Sequence, residues 1–215
     1  MTAIDLEAVR ALKSRATAER NRGRLNRAQQ RLDEAVVALQ QMCADTTLDG
    51  RSRREVRAEL ADTFGMKGGV YRRENKLVEA LSAYKQGLEL EEEGGTSTYN
   101  LGNVIALNIA EKGLSPEMPP LSDYLARGIE MLSLATRSDR RDEWWAWADL
   151  AQFLLLAGKP DEAREAYASG RRQAGPSNEE VQRHAAVLIE LARETATTAP
   201  KVSATLQAAA HELTA

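Results

Sequence analysis

Apolar residues recur along this chain at intervals of three and four, and the two-residue alternation of strands is almost absent. The pattern predicts an all-helical protein. It marks an N-terminal helix or helix pair over about residues 3–44, then helices near 52–73, 76–92, 97–111, 121–137, 141–157, 160–174, 178–196 and 200–213. Ser52 with Glu55, and Ser177 with Glu180, have the spacing at which a hydroxyl and a carboxylate satisfy the free amides of a helix start. Gly158 to Glu162 reads as a stop and a restart, with Pro160 in the first turn of the new helix. Connections are short except Ala44 to Arg51 and Lys112 to Leu121, where Pro116, Pro119 and Pro120 forbid helix.

The helices carry a repeat. Phe64, Gly68 and Tyr71, followed by Ala80 and Tyr84, place an aromatic, a small residue and an aromatic on one helix, then Ala and an aromatic on the next. Trp147, Leu150, Ala151 and Leu154, followed by Ala163 and Tyr167, keep the internal spacing: 16 residues from leading aromatic to Ala, 4 more to the last aromatic. Leu101, Gly102 and Ile105 begin a third copy, with Gly102 lying 34 residues after Gly68, and its second helix (Gly128, Leu132, Ala135) is displaced by the proline loop. A weaker copy precedes these, with Gly23, Ala35 and Leu39 each 45 residues before Gly68, Ala80 and Tyr84. Small residues let paired helices approach closely and bulky ones fill the space between neighbouring pairs, so stacking of hairpins is obligatory.

This order of residues resembles the tetratricopeptide repeat, a 34-residue helix-turn-helix unit, over roughly residues 60–176. Lys67 departs from the pattern where it has Leu, and Gly87 and Gly170 where it has Ala. The resemblance implies an α-solenoid of antiparallel hairpins wound as a right-handed superhelix, in one domain over 1–215: an N-terminal helix or hairpin (1–50), three hairpins (52–176) and C-terminal capping helices (177–215). It also implies a concave groove, lined by the first helix of each hairpin, that receives a peptide or a partner helix. On the face of those helices away from the packing positions stand Arg72 and Arg73, then Tyr99, Asn100 and Asn103, then Trp145, Asp149 and Gln152. Asn100 and Asn103 lie a turn apart and can hydrogen-bond an extended backbone, or simply face water. In the run Trp144, Trp145, Ala146, Trp147, the first and last share the packing side. Trp145 is rotated about 100° from Trp144 and is either a groove residue or packed beneath the preceding hairpin. Asn100 is the sole match to the basic clamp with which some members hold a terminal carboxylate, so no such clamp is expected.

Residues 4–39 hold a second pattern, because Ile4, Ala11, Ala18, Leu25, Leu32 and Leu39 recur every seven residues. A long helix able to dimerise and a hairpin turning at Asn21-Arg22-Gly23 both fit; the interrupting glycine favours the hairpin. Homo-oligomers through this helix or the terminal hairpin remain open.

Charge and composition narrow the chemistry. The net charge is −3, but residues 1–76 hold 16 Lys and Arg against 11 Asp and Glu, and residues 77–215 hold 13 against 21. The arginines from Arg10 to Arg31 are either a solvated helix face or a surface for an acidic partner. Nucleic acid is not expected, since aromatics do not accompany the basic residues. Two histidines and one cysteine exclude a His/Cys-rich zinc site and an intramolecular disulfide. No phosphate loop, nucleophile elbow or zinc-protease helix occurs, and no enzyme activity, cofactor or metal is expected. The run Glu91-Glu92-Glu93-Gly94-Gly95 reads as a solvated helix end, and Cys43 as a small, partly buried apolar residue. No apolar run nears the roughly 18 residues of a membrane helix and no leader is evident, so a cytoplasmic protein is expected. The reading is a noncatalytic module that binds a protein or peptide as an adaptor or assembly factor. The alternative is a regulatory receptor that encloses a small molecule or short signal peptide.

Overall fold

A computed structural model describes residues 5–92 and 97–215, and these form ten α-helices and no strand. They are α1 (Leu6–Asn21), α2 (Leu25–Cys43), α3 (Gly50–Arg73), α4 (Leu77–Glu92), α5 (Tyr99–Lys112), α6 (Leu121–Ala135), α7 (Trp144–Leu156), α8 (Pro160–Ala174), α9 (Asn178–Thr195) and α10 (Pro200–Thr214). Every predicted helix is present, and the fold is the all-helical, repeat type. Two compact units divide the chain, 1–104 and 105–215, with the boundary inside α5.

In the first unit α1 pairs with α2, α2 with α3, and α3 with α4. The N-terminal segment is therefore a hairpin. It turns at Gly23; of the seven-residue seam, Leu25 and Leu32 pack with Ala16, Ala28 and Val70, and Leu39 joins a core with Val9, Val56, Leu60 and Phe64, while Ala11 and Ala18 stay exposed. Ile4 lies outside the described residues. Cys43 is half-buried against the same core, and burial raises its thiol pKa. The basic face of α1 meets an acidic face of α3: Arg10 pairs with Glu55 and Glu59 (2.9 and 2.8 Å), and Lys13 with Glu59 and Asp62. Burial pushes the Glu59 carboxyl up, yet hydrogen bonds from Lys13 and Arg10 outweigh it and leave the group below its usual value. Glu55 is thereby drawn away from the predicted capping box. Asp49 caps α3 instead, accepting from the amides of Arg51 and Ser52 at 2.8 Å each, and the helix starts two residues earlier than the spacing indicated.

In the second unit α6 packs on α7, α7 on α8, and α9 on α10, while α10 also reaches α7 and α8. Leu107, Ile109, Leu121, Leu132, Phe153 and Leu156 are buried, as are Leu188, Leu191 and Leu206 of the last hairpin. Ser177 and Glu180 form the predicted capping box at α9. The α7 helix begins at Trp144, three residues later than predicted, because Asp139 to Glu143 form a turn closed by Arg140 and Glu143.

Three hairpin turns are the same object. Gly23, Asn75 and Gly158 each sit two residues beyond the first helix and two before the second, with φ of 73°, 59° and 73°. In each, the next residue's amide closes back over the helix end: Arg24 to the Glu19 carbonyl, Lys76 to Tyr71, Lys159 to Leu154, all at 2.9 Å. Aligned on these turns, the packing positions coincide: Ala16, Gly68 and Ala151 on the first helix, then Ala28, Ala80 and Ala163, then Leu32, Tyr84 and Tyr167, all buried. The first hairpin is thus a copy 52 residues before the second, not 45. The seven-residue difference is almost two helical turns, so the wrong alignment keeps the same face and looks equally good in sequence.

The small positions do what the spacing demands. A Cβ on Gly68 would lie 2.6 Å from the Tyr84 ring, and one on Gly170 the same distance from Trp147 Cβ. Gly170 departs from the repeat pattern and is the reason Trp147 fits.

Candidate functional site

In the first unit, the candidate residues separate. The Arg72 guanidinium donates to Asn103 Oδ1 (3.1 Å), and the Asn103 amide nitrogen donates to the Tyr99 carbonyl (2.9 Å). The Tyr99 ring, on a residue half exposed, meets Tyr84 edge-on at 6.2 Å between centroids. Burial raises the pKa of both phenols, so both are neutral donors at physiological pH. Arg73 is exposed and stands outside this group.

Asn100, expected on the open face of its helix, is not on an open surface. It is fully buried, and its amide nitrogen donates to the Ala61 carbonyl (3.0 Å) and to Glu91 Oε1 (2.9 Å). The hole that admits it is made by two absent side chains, since a Cβ on Gly87 would lie 2.4 Å from the amide nitrogen and one on Gly65 2.9 Å from the amide oxygen. Glu91 is likewise buried, not solvated. It accepts from the Asn100 backbone amide at the start of α5 (3.3 Å), and burial lifts its carboxyl above the usual range. Glu93 to Gly95, the rest of that predicted turn, lie outside the described residues. A pair of glycines on neighbouring helices, matched to one Asn, was the available signal.

In the second unit, α7 sorts its three tryptophans. Trp144 is buried against Tyr167 and His184. Trp147 is half-buried beside Gly170, its indole N–H donating to the Arg141 carbonyl (2.8 Å). Trp145 is half-buried too and meets His184 of the following hairpin edge-on at 6.3 Å. Asp149 and Gln152 continue its row along α7, both half-buried. Desolvation pushes the Asp149 carboxyl up to about 7, with Arg140 pulling weakly the other way.

His184 was not among the expected site residues, since one histidine on an apolar helix face carries no motif. It is buried, and its Nε2 lies 2.8 Å from the Tyr167 hydroxyl; burial pushes the imidazole down to about 4, so it is neutral. Tyr167 also lines a cleft of about 480 Å³ between α8 and α10, together with Leu155, Ala163, Ala209 and Leu213. An ion pair of Arg164 with Glu212 (2.9 Å) joins its walls. Among the described residues, no three of His, Cys, Asp and Glu are grouped to hold a metal ion, and no helix is long and apolar enough to cross a membrane.

No curated protein matches the chain in sequence. Residues 144–188, which span α7, α8 and the first part of α9, match the family model described as tetratricopeptide repeat. That match, on a chain in which three hairpins share one turn and one set of packing positions, supports a tetratricopeptide-repeat family assignment.

Proposed function

We propose that this chain is a noncatalytic interaction module of the cytoplasm that binds a peptide segment or partner domain and serves as an adaptor or assembly factor. Tetratricopeptide repeats mediate protein–protein interactions, and the fold is typically noncatalytic. The observation that carries the reading is the row Trp145, Asp149, Gln152. It presents a ring, a carboxyl and an amide along consecutive turns of α7, within the matched segment, and none of the three is fully buried. Such a row offers an aromatic anchor with polar groups that fix register, the composition of a recognition hot spot. In the first unit, Arg72, Tyr99 and Asn103 form a second patch, to which exposed Arg73 adds charge.

The test is a photo-crosslinking residue, benzoylphenylalanine, placed at Gln152, at Tyr99 and, as control, at exposed Glu165 of α8. Capture of one protein from Gln152 or Tyr99 but not from Glu165 supports the reading. Equal capture from all three, or none, overturns it.

A receptor for a small molecule is the second reading, and the α8–α10 cleft favours it: its volume lies in the range of ligand pockets, about 300–1,000 Å³. Ala208→Trp at the rim would fill the cleft; a ligand-induced rise in Tm lost in this variant supports the receptor, and a rise that persists removes the cleft from it.

A further inference from the structure

Asp149 is a carboxyl without a partner. Among the described residues nothing donates a hydrogen bond to it. Arg140, the cation whose field it feels, commits its guanidinium to Glu143 at 2.8 Å. Tyr167, the nearby phenol, is engaged with His184. Trp145 stands one turn before this carboxyl on α7, and Tyr167 feels its charge; the two rings belong to one set in mutual contact, Trp145 and Trp144 on His184 (6.3 and 6.4 Å), Tyr167 on both Trp144 and His184 (6.2 and 5.6 Å). A half-buried carboxylate costs free energy unless it is neutralised or paired. A charge beside aromatic faces is the arrangement that receives an organic cation, the carboxylate supplying the hydrogen-bond fork and the ring the quadrupole.

The chemistry selects the cation. A metal ion needs several oxygen or nitrogen ligands, and the one imidazole nearby is buried and hydrogen-bonded to a phenol. A guanidinium needs one carboxylate and one ring to stack on. Residues 105–215 hold 12 Lys and Arg against 16 Asp and Glu, so the field of this unit also draws a basic segment.

We propose that Asp149, together with Trp145, is the recognition point for an arginine side chain of the bound segment. This rests on the protein-binding reading and names what the α7 row takes. Burial that disfavours the free carboxylate makes the gain on pairing larger.

Two tripeptide probes test it: acetyl-Gly-Arg-Gly-amide, and the same peptide with citrulline, which keeps the shape and loses the charge. Binding is read from the Trp145 indole N–H resonance, with that signal assigned by its loss in Trp145→Phe. The expected result is saturable binding of the arginine probe at least tenfold tighter than the citrulline probe, with the preference lost in Asp149→Asn. Folding of that variant is checked by its helical circular dichroism. Equal response to the two probes, or an arginine preference unchanged in Asp149→Asn, overturns the proposal. If Gln152 still crosslinks a protein while the probes do not discriminate, the arginine proposal fails and the adaptor reading stands; if the probes discriminate and no protein is captured, the reverse holds.

Discussion

The Tyr167 hydroxyl and the His184 Nε2 lie 2.8 Å apart, where neither residue has more than a few per cent of its surface in water. The bond joins the second helix of the matched hairpin to the first helix of the next. It fixes a neutral imidazole at the point where α7, α8 and α9 share their rings.

That imidazole opposes folding in acid. With a folded pKa of about 4 against 6.5 for the free group, His184 takes a proton in the unfolded chain first, so its own contribution to stability falls as pH drops from 6.5 toward 4. The loss is about 3 kcal/mol at full extent. His184→Phe should flatten this slope while lowering stability at neutral pH, because the Tyr167 hydroxyl loses its partner. Urea unfolding followed by tryptophan fluorescence reads the right unit, since Trp144, Trp145 and Trp147 are its tryptophans.

Asp149 acts with the opposite sign. Its folded pKa is raised to about 7, so the charged form opposes folding above pH 7 and that penalty is relieved as pH falls toward 4. Asp149→Asn should therefore be more stable than wild type at pH 8, by about 2–4 kcal/mol, with the gap closing by about pH 4. An equal or lower urea midpoint at pH 8 contradicts this.

Asn100 and Tyr99 should come apart experimentally. Asn100→Ala removes the side-chain amide donated to the Ala61 carbonyl and to Glu91, which keeps the backbone amide of residue 100, and should cost about 1–3 kcal/mol of stability. Tyr99→Ala should weaken partner binding with a smaller loss of helical stability, measured by thermal melting beside crosslinking yield.

Gly68→Ala drives a methyl into the Tyr84 ring and should cost about 1–3 kcal/mol. The clash lies in the first unit, which holds none of the tryptophans, so far-UV circular dichroism is the signal that records the loss.

Helix existence and most of the packing were legible because spacing along one helix is a property of one helix. Ala80, Tyr84, Ala163 and Tyr167 are buried as their period required. What sequence hid depends on neighbours. Glu55 has capping spacing and was drawn instead to Arg10, a residue 45 positions away. Asn100 carries the look of a surface amide, and only the juxtaposition of Gly65 with Gly87 turns it inward. His184 acquires its meaning from Tyr167 on another helix. The first copy of the repeat was misplaced because helical periodicity is degenerate over seven residues, whereas a left-handed residue in a turn is not.

The shared turn at Gly23, Asn75 and Gly158 has a further consequence for how the chain can vary in length. Within a hairpin, one added residue would rotate every following side chain by about 100° and break the closure over the helix end. The segments 44–49, which joins α2 to α3, and 113–120, which joins α5 to α6, lie outside the three shared turns and carry none of the turn-aligned packing residues. Tags, reporters or extra domains are therefore best spliced into those two connectors, where the chain behaves as a string of interchangeable cassettes.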